Sequence, residues 1–297
     1  MRPALVWAVA ALLLLCFPAT GRAYKRSQVP GTDGSGPELY WCARELPFVI
    51  NELGSQDAGA ADSIEASRQS FFTWMGPSCT DLAFVDHGTT SRTDIGFDQN
   101  SSGNVNLVVW REETCARVVP RGDACLTAGG CNNIYNCWEQ SPQTIALTTT
   151  TFNKSTGEIY DGDIELNGAG FVFTAGEGQT CENPPPRPAT GCVATDVRNT
   201  VTHEIGHVIG LDHVTNPAEA TMYPSAALGD VDKRSLHQDD IDGLCDVYPK
   251  GKKTAECLAK DPDIGIGDCG CAASGAPVAG LWAFLWLPLA GRRRRPS

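Results

Sequence analysis

Histidine is scarce in this 297-residue chain, with five in all, and methionine is scarcer, with three. Positive charge is short as well: 23 Lys and Arg stand against 35 Asp and Glu, a formal net charge of −12. So acidic a balance argues against a nucleic-acid partner and for a soluble surface. No apolar run reaches the roughly 20 residues that a full membrane-spanning helix needs. There is no internal repeat and no EF-hand loop, and the cysteines between Cys115 and Cys192 lack CxxC spacing. A solenoid, an EF-hand sensor and a zinc–thiolate finger therefore find no support. Against these absences stand a 42% hydrophobic content, ample for a packed core, and thirteen cysteines.

Both ends are apolar. Residues 1–23 have an early arginine, an apolar run from Ala4 to Phe17 and then Gly21-Arg22-Ala23. That is the layout of a secretory signal peptide cleaved after Ala23. The twelve cysteines beyond it then reach an oxidising compartment, where disulfides form. At the other end, Val278 to Ala290 is mostly apolar and Arg292–Arg295 follow, which fits a segment that inserts in a membrane with the arginines on the cytoplasmic side. With Cys269 and Cys271 just upstream, this tail resembles the C-terminal sorting signal of myxobacterial surface proteins. The resemblance implies processing by a sorting enzyme and display on the cell surface. A plain tail anchor is the other reading.

Between the ends, residues 24–39 are rich in Gly, Pro and Ser and read as a flexible lead-in. The main domain is expected over 40–250, a linker with its Cys pair over 251–271, and the tail over 272–297. Strand-like runs fall at 46–53, 82–88, 105–112, 144–153 and 163–174, with a helix near 59–75. The cysteines crowd the loops between strands, and a Cys181–Cys192 bridge is expected to pin the loop before residue 196.

"DVRNTVTHEIGHVIGLDH" then gathers three of the five histidines within eleven positions. At 100° per residue, His203 and His207 share one side of a helix, while Val197, Val201, Ile205, Val208 and Ile209 share the other. Thr195 or Asp196 can cap its start. Gly210, tolerant of positive φ, can end the helix and swing His213 back toward the first two. Three neutral imidazoles leave a fourth tetrahedral position for water, as in catalytic zinc sites. Glu204, beside the first ligand, can act as general base and then general acid. The full HExxHxxGxxH pattern arises by chance on the order of 10⁻⁵ times per chain at these residue frequencies.

"HEIGHVIGLDH" resembles the metzincin zinc endopeptidases, and "ATMYPS", which starts seven residues after His213, resembles their Met-turn, with Met222 as an apolar floor. The matrixin branch is most similar. "RSLHQDDIDGLCDVYP" resembles its C-terminal helix, where Ser235 and Gln238 form a capping box and Ile241, Leu244, Cys245 and Tyr248 share a face. One of Asp239 and Asp240 would support the Met-turn backbone. "GEIYDGDIELNG" resembles the edge strand that adds an extended substrate to the sheet. The branch's second zinc lacks ligands, since only His87 and His237 remain. No cysteine switch is present, so Cys42 is expected to be bridged. Calcium has no support beyond the alternation of Asp161, Asp163 and Glu165.

The expected fold is α+β, a metzincin-like catalytic domain with a twisted, mixed five-stranded sheet, an active-site helix and a C-terminal helix, stapled by disulfides. The expected function is an extracellular, surface-displayed zinc metalloendopeptidase, a monomer acting on proteins or peptides. It would carry one catalytic Zn²⁺ on His203, His207 and His213, with Glu204 catalytic and Gly210 and Met222 in support. A non-catalytic zinc-containing adhesin is the alternative. The S1′ pocket is expected between the active-site helix and the segment after Met222.

Overall fold

A computed structural model describes residues 24–258, apart from 31–34, 102, 129 and 132. The expected leader, the apolar tail, and Cys269 and Cys271 lie outside the described residues. Among the described residues no helix is long and apolar enough to cross a membrane.

Five strands form the central sheet: β1 (Glu45–Asn51), β2 (Ala83–Thr90), β3 (Asn106–Trp110), β4 (Ala146–Phe152) and β5 (Ile159–Leu166). Their order across the sheet is β2-β1-β3-β5-β4. All neighbours are parallel except β4, which runs antiparallel to β5. The chemistry of each strand fits its place. "NLVVW" of β3 is buried throughout, as an inner strand covered on both faces must be. β2 and β4 keep many half-exposed side chains, as edge strands do. On one face Leu46, Phe48 and Ile50 join the main core, and on the other Val49 packs with Leu107 and Val109.

Three helices complete the frame: α1 (Ala60–Met75), α2 (Val197–Val208) and α3 (Gln238–Val247). α1 lies on the sheet through Phe71, whose ring stacks on Phe48 at 3.8 Å between centroids. Its inner face is otherwise made of Ser63, Ile64, Ser67, Ser70 and Trp74, while Phe72 and Met75 are exposed. Small serines let α2 approach closely. Ser70 Oγ donates to the Arg198 carbonyl, and Trp74 Nε1 donates to that of Thr202 at 2.8 Å.

Several expectations need correction. "GEIYDGDIELNG" is no edge: β5 sits between β3 and β4, and nearly all its residues are buried. The edge on that side of the sheet is β4. The run 163–174 is not one strand either, because the chain turns after Leu166 and resumes extended only at Phe173–Thr174. The described residues of 24–39 are docked, not a loose lead-in. Lys25–Arg26 pair antiparallel with Leu211–Asp212, Gln28 bridges to Glu38, and Val29 and Leu39 are buried. The fold also runs past residue 250, since Thr254 is buried and Cys257 is bonded to Cys42. The capping box of α3 is built from His237 and Asp240, not Ser235 and Gln238. Its inner face is Gly243, Leu244 and Val247, with Tyr248 beyond; Ile241 is half-buried and Cys245 bonds to Cys79.

Among the described residues five disulfides join Cys42–Cys257, Cys79–Cys245, Cys115–Cys137, Cys125–Cys131 and Cys181–Cys192. The last is the expected one, and Cys42 is bridged as expected.

Candidate active site and metal centre

α2 crosses beneath the sheet edge with Val197, Val201, Ile205, Val208 and Ile209 all in the core. Of the two candidate caps it is Asp196 that serves: its carboxylate accepts from the Asn199 N–H at 2.7 Å. Arg234 grips the same carboxylate through Nε at 2.9 Å and Nη2 at 2.6 Å. At the far end Gly210 has φ of 88°, and a Cβ there would come 2.5 Å from the Leu39 carbonyl oxygen. Both the torsion and the space demand glycine. The turn it makes brings His213 back over the helix.

His203 Nε2 and His207 Nε2 each lie 3.1 Å from His213 Nε2. Two nitrogens held about 2.0–2.1 Å from one tetrahedral ion would lie roughly 3.3 Å apart. The opposite ring nitrogens are committed: His203 Nδ1–H donates to the Thr221 carbonyl at 2.6 Å, and His207 Nδ1–H to that of Leu211 at 2.9 Å. These bonds fix the tautomers of His203 and His207 and turn their bare Nε2 lone pairs toward His213 Nε2. Burial holds all three imidazoles below their ordinary pKa, so they stay neutral and able to ligate. Lone pairs gathered this closely fit a shared cation. His203 is buried, His207 half-buried and His213 exposed, so the cluster opens to solvent on one side. Exposed His87, and His237 at the cap of α3, stand outside it.

The loop below is held from α3. Of the two candidate aspartates it is Asp240 that accepts from the Thr221 N–H at 2.7 Å and the Met222 N–H at 3.1 Å. The Thr221 carbonyl in turn takes the His203 proton, so an anchor on α3 orients an imidazole on α2. Met222 is buried, and a Cβ at Gly206 would collide with its sulfur. The helix can rest on the methionine only because position 206 has no side chain.

Glu204 is buried, and its Oε2 accepts from the Thr148 hydroxyl at 2.6 Å. Burial pushes its pKa up to about 7, against the lowering effect of that hydrogen bond. Thr148 belongs to the edge strand β4. A cleft of about 750 Å³ runs between β4 and Pro224–Ala226, past His203, Glu204, His207 and His213. Lys233, also buried, reaches its wall. Nothing in the sequence set Thr148 or Lys233 apart: one is in a run of threonines, the other on a short 3₁₀ turn (Asp232–Arg234).

Asp161, Asp163 and Glu165 lie buried on one side of β5, and the last two are spent on the protein's own groups. Asp163 accepts from the Gly96 and Leu107 N–H groups at 2.6 and 2.8 Å, and Glu165 from Arg111 Nε at 2.6 Å.

A sequence profile of the matrixin family matches residues 40–249. The chain belongs to the matrixin family. Curated relatives match this matrixin over short stretches only. Matrix metalloproteinase-27 of Tupaia belangeri is 41% identical over 71 residues, 21% of this chain and 13% of that protein. Human matrilysin is 45% identical over 49 residues, 16% of this chain and 18% of its own. Human neutrophil collagenase is 48% identical over 46 residues, 16% of this chain and 10% of its own. The matched parts thus span less than a fifth of these relatives. The matrixin family implies zinc dependence, and the three-histidine group supplies the donors for it.

Proposed function

We propose that this matrixin is an exported zinc-dependent endopeptidase in which His203, His207 and His213 hold the ion and Glu204 moves the proton. The observation that carries the reading is the convergence of three neutral imidazoles, two of them fixed in tautomer, beside a buried glutamate at the floor of an open cleft. Zinc bound there supplies a Lewis acid that polarises the scissile carbonyl and acidifies a water. Glu204 takes the proton from the attacking water and delivers it to the leaving amine nitrogen. Thr148 engages Glu204 Oε2, so Oε1 carries the proton. The open edge of β4 adds the substrate as an extended strand through backbone hydrogen bonds, and this keeps the peptide beside Glu204. Asp240 and Met222 hold the floor, and the Gly210 turn supplies the third histidine.

Export rests on the leader-like residues 1–23 and on the disulfides, which need an oxidising compartment. Residues 272–297 then insert in the membrane or are removed near Cys269 and Cys271. A C-terminus near those cysteines, read by mass spectrometry of cell-bound protein, separates removal from plain anchoring. Proteins and peptides are the substrates, and the working unit is the monomer.

The test uses the purified full chain on protein and peptide substrates. A zinc chelator abolishes cleavage and added zinc restores it. Glu204→Ala lowers kcat by about 10²–10⁴-fold, with bound zinc unchanged by elemental analysis. Undiminished cleavage by Glu204→Ala would falsify the role given to that residue, and folded protein that takes up no zinc removes the whole reading.

A further inference from the structure

Lys233 is an oddity in the cleft. It is only 5% exposed, yet among the described residues no carboxylate pairs with it within 4.0 Å. Its backbone N–H donates to Asn199 Oδ1 at 2.8 Å, which fixes the residue against the first turn of α2. Its ammonium donates to the Tyr223 carbonyl, at the start of the segment that walls the cleft. An ammonium has three donors, and a buried charge without a counter-ion is costly. The cleft that it reaches is also lined by Asn199, Thr200, Pro224, Ser225 and Ala226. The acids whose charge acts on it are Asp230, Glu204 and Asp240, none of them within ion-pair distance. Asp240 is engaged by backbone N–H groups, Asp230 by the Asp232 N–H, and one Glu204 oxygen by Thr148.

We infer that Lys233 is the specificity determinant of the primed side of the cleft, selecting substrates with Asp or Glu immediately after the scissile bond. The inference rests on the endopeptidase reading and narrows it. A peptide laid along β4 with its scissile carbonyl at the histidines sends its next side chain between α2 and Pro224–Ala226, where Lys233 lies. A carboxylate arriving there meets an ammonium with donors to spare, in a site shielded from water. An aliphatic side chain would instead leave that charge buried and unpaired, and discrimination against ligands that strand a buried polar group is large.

The test reads binding, with register fixed by a metal-chelating group. Two peptide hydroxamates are prepared that differ only in the side chain beyond the hydroxamate, carboxyethyl in one and isobutyl in the other. Calorimetry on the zinc-loaded full chain is expected to show the carboxyethyl ligand binding at least tenfold more tightly. Lys233→Met should reverse the order, and Lys233→Arg should retain it. Tighter binding of the isobutyl ligand to the unmutated protein overturns the inference, whether or not Lys233→Met folds. Equal preference in the unmutated protein and Lys233→Met overturns it too, as does failure of both ligands to bind. A lysine-dependent preference in a protein that cuts no peptide would leave this subsite standing and remove the endopeptidase reading instead.

Discussion

In the mechanism proposed for it, Glu204 takes a proton and hands it on, and for that it has to be held by one oxygen and left free at the other. In this matrixin the holding is done by Thr148, whose hydroxyl reaches Glu204 Oε2 at 2.6 Å and the Glu204 carbonyl at 3.1 Å. The residue thus ties the edge of the sheet to the helix that carries the histidines. A hydrogen bond to a charged group contributes about 1.5–3 kcal/mol. Thr148→Val, close in shape, is expected to lower kcat by roughly ten- to a hundredfold. KM and bound zinc should change little, and Thr148→Ser should recover most of the loss. A Thr148→Val protein with full kcat would show that packing alone positions Glu204.

Strand β5 poses a different problem at the scale of the element. Asp161 and Asp163 are two positions apart, so both carboxyls turn to one side of the sheet, and each is about 1% exposed. Burial, and then the charge of Asp163, push the Asp161 pKa upward; Asp163 meanwhile accepts two backbone N–H groups. Asp161 therefore keeps a proton in the folded state that it has already lost in the unfolded one. The folded state binding more protons, stability falls as pH rises above the unfolded value of about 4, and levels off once the raised pKa is passed. Asp161→Asn removes that dependence while keeping a donor toward Asp163. Its melting temperature should gain steadily on the unmutated protein between pH 5 and pH 9, with zinc held constant. Parallel curves for the two proteins would mean that Asp161 is ionised throughout.

The same strand shows where the sequence stopped being legible. The helix of the histidines could be read closely because its signals are local: a 3.6-residue aliphatic stripe, a capping aspartate and a glycine at the end. The five strands were legible as runs of β-branched and apolar residues. Their order was not, because nothing local tells "IYDGDIEL" that β4 will fold back and cover its outer side. The site obeyed the same rule. His203, Glu204, His207 and His213 fall within eleven positions of one segment, whereas Thr148 and Lys233 join them only through tertiary packing. Residues 24–39 misled because Gly, Pro and Ser suggest looseness, while Val29 and Leu39 supply enough burial to dock the segment.

At the scale of the whole molecule the two ends of the described chain close around the catalytic frame. Cys42–Cys257 and Cys79–Cys245 bring the C-terminal helix and the short stretch beyond it to the start of the domain. The N-terminal segment completes the closure. The Tyr24 ring lies over Gly243 of α3, where a Cβ would come 3.0 Å from it, and its hydroxyl donates to Asp246 at 2.6 Å. Its backbone N–H donates to the carboxylate of buried Asp239, whose pKa burial otherwise raises. If export removes residues 1–23, that amide becomes an α-ammonium facing a carboxylate, a charge-assisted bond in place of a neutral one. Protein starting at Tyr24 should then melt higher than protein that retains Ala23, by about 2–4 °C for each kcal/mol gained. The ammonium gains a partner on folding, so its pKa rises. The advantage is complete below the free α-amino value of about 7.7–8.0 and is lost as pH climbs through the raised one. Melting curves of the two forms at pH 6 and pH 10 check this. A gap that persists unchanged at pH 10 would place the effect in the packing of Tyr24, and no gap at pH 6 would mean that Asp239 gains nothing from the new terminus.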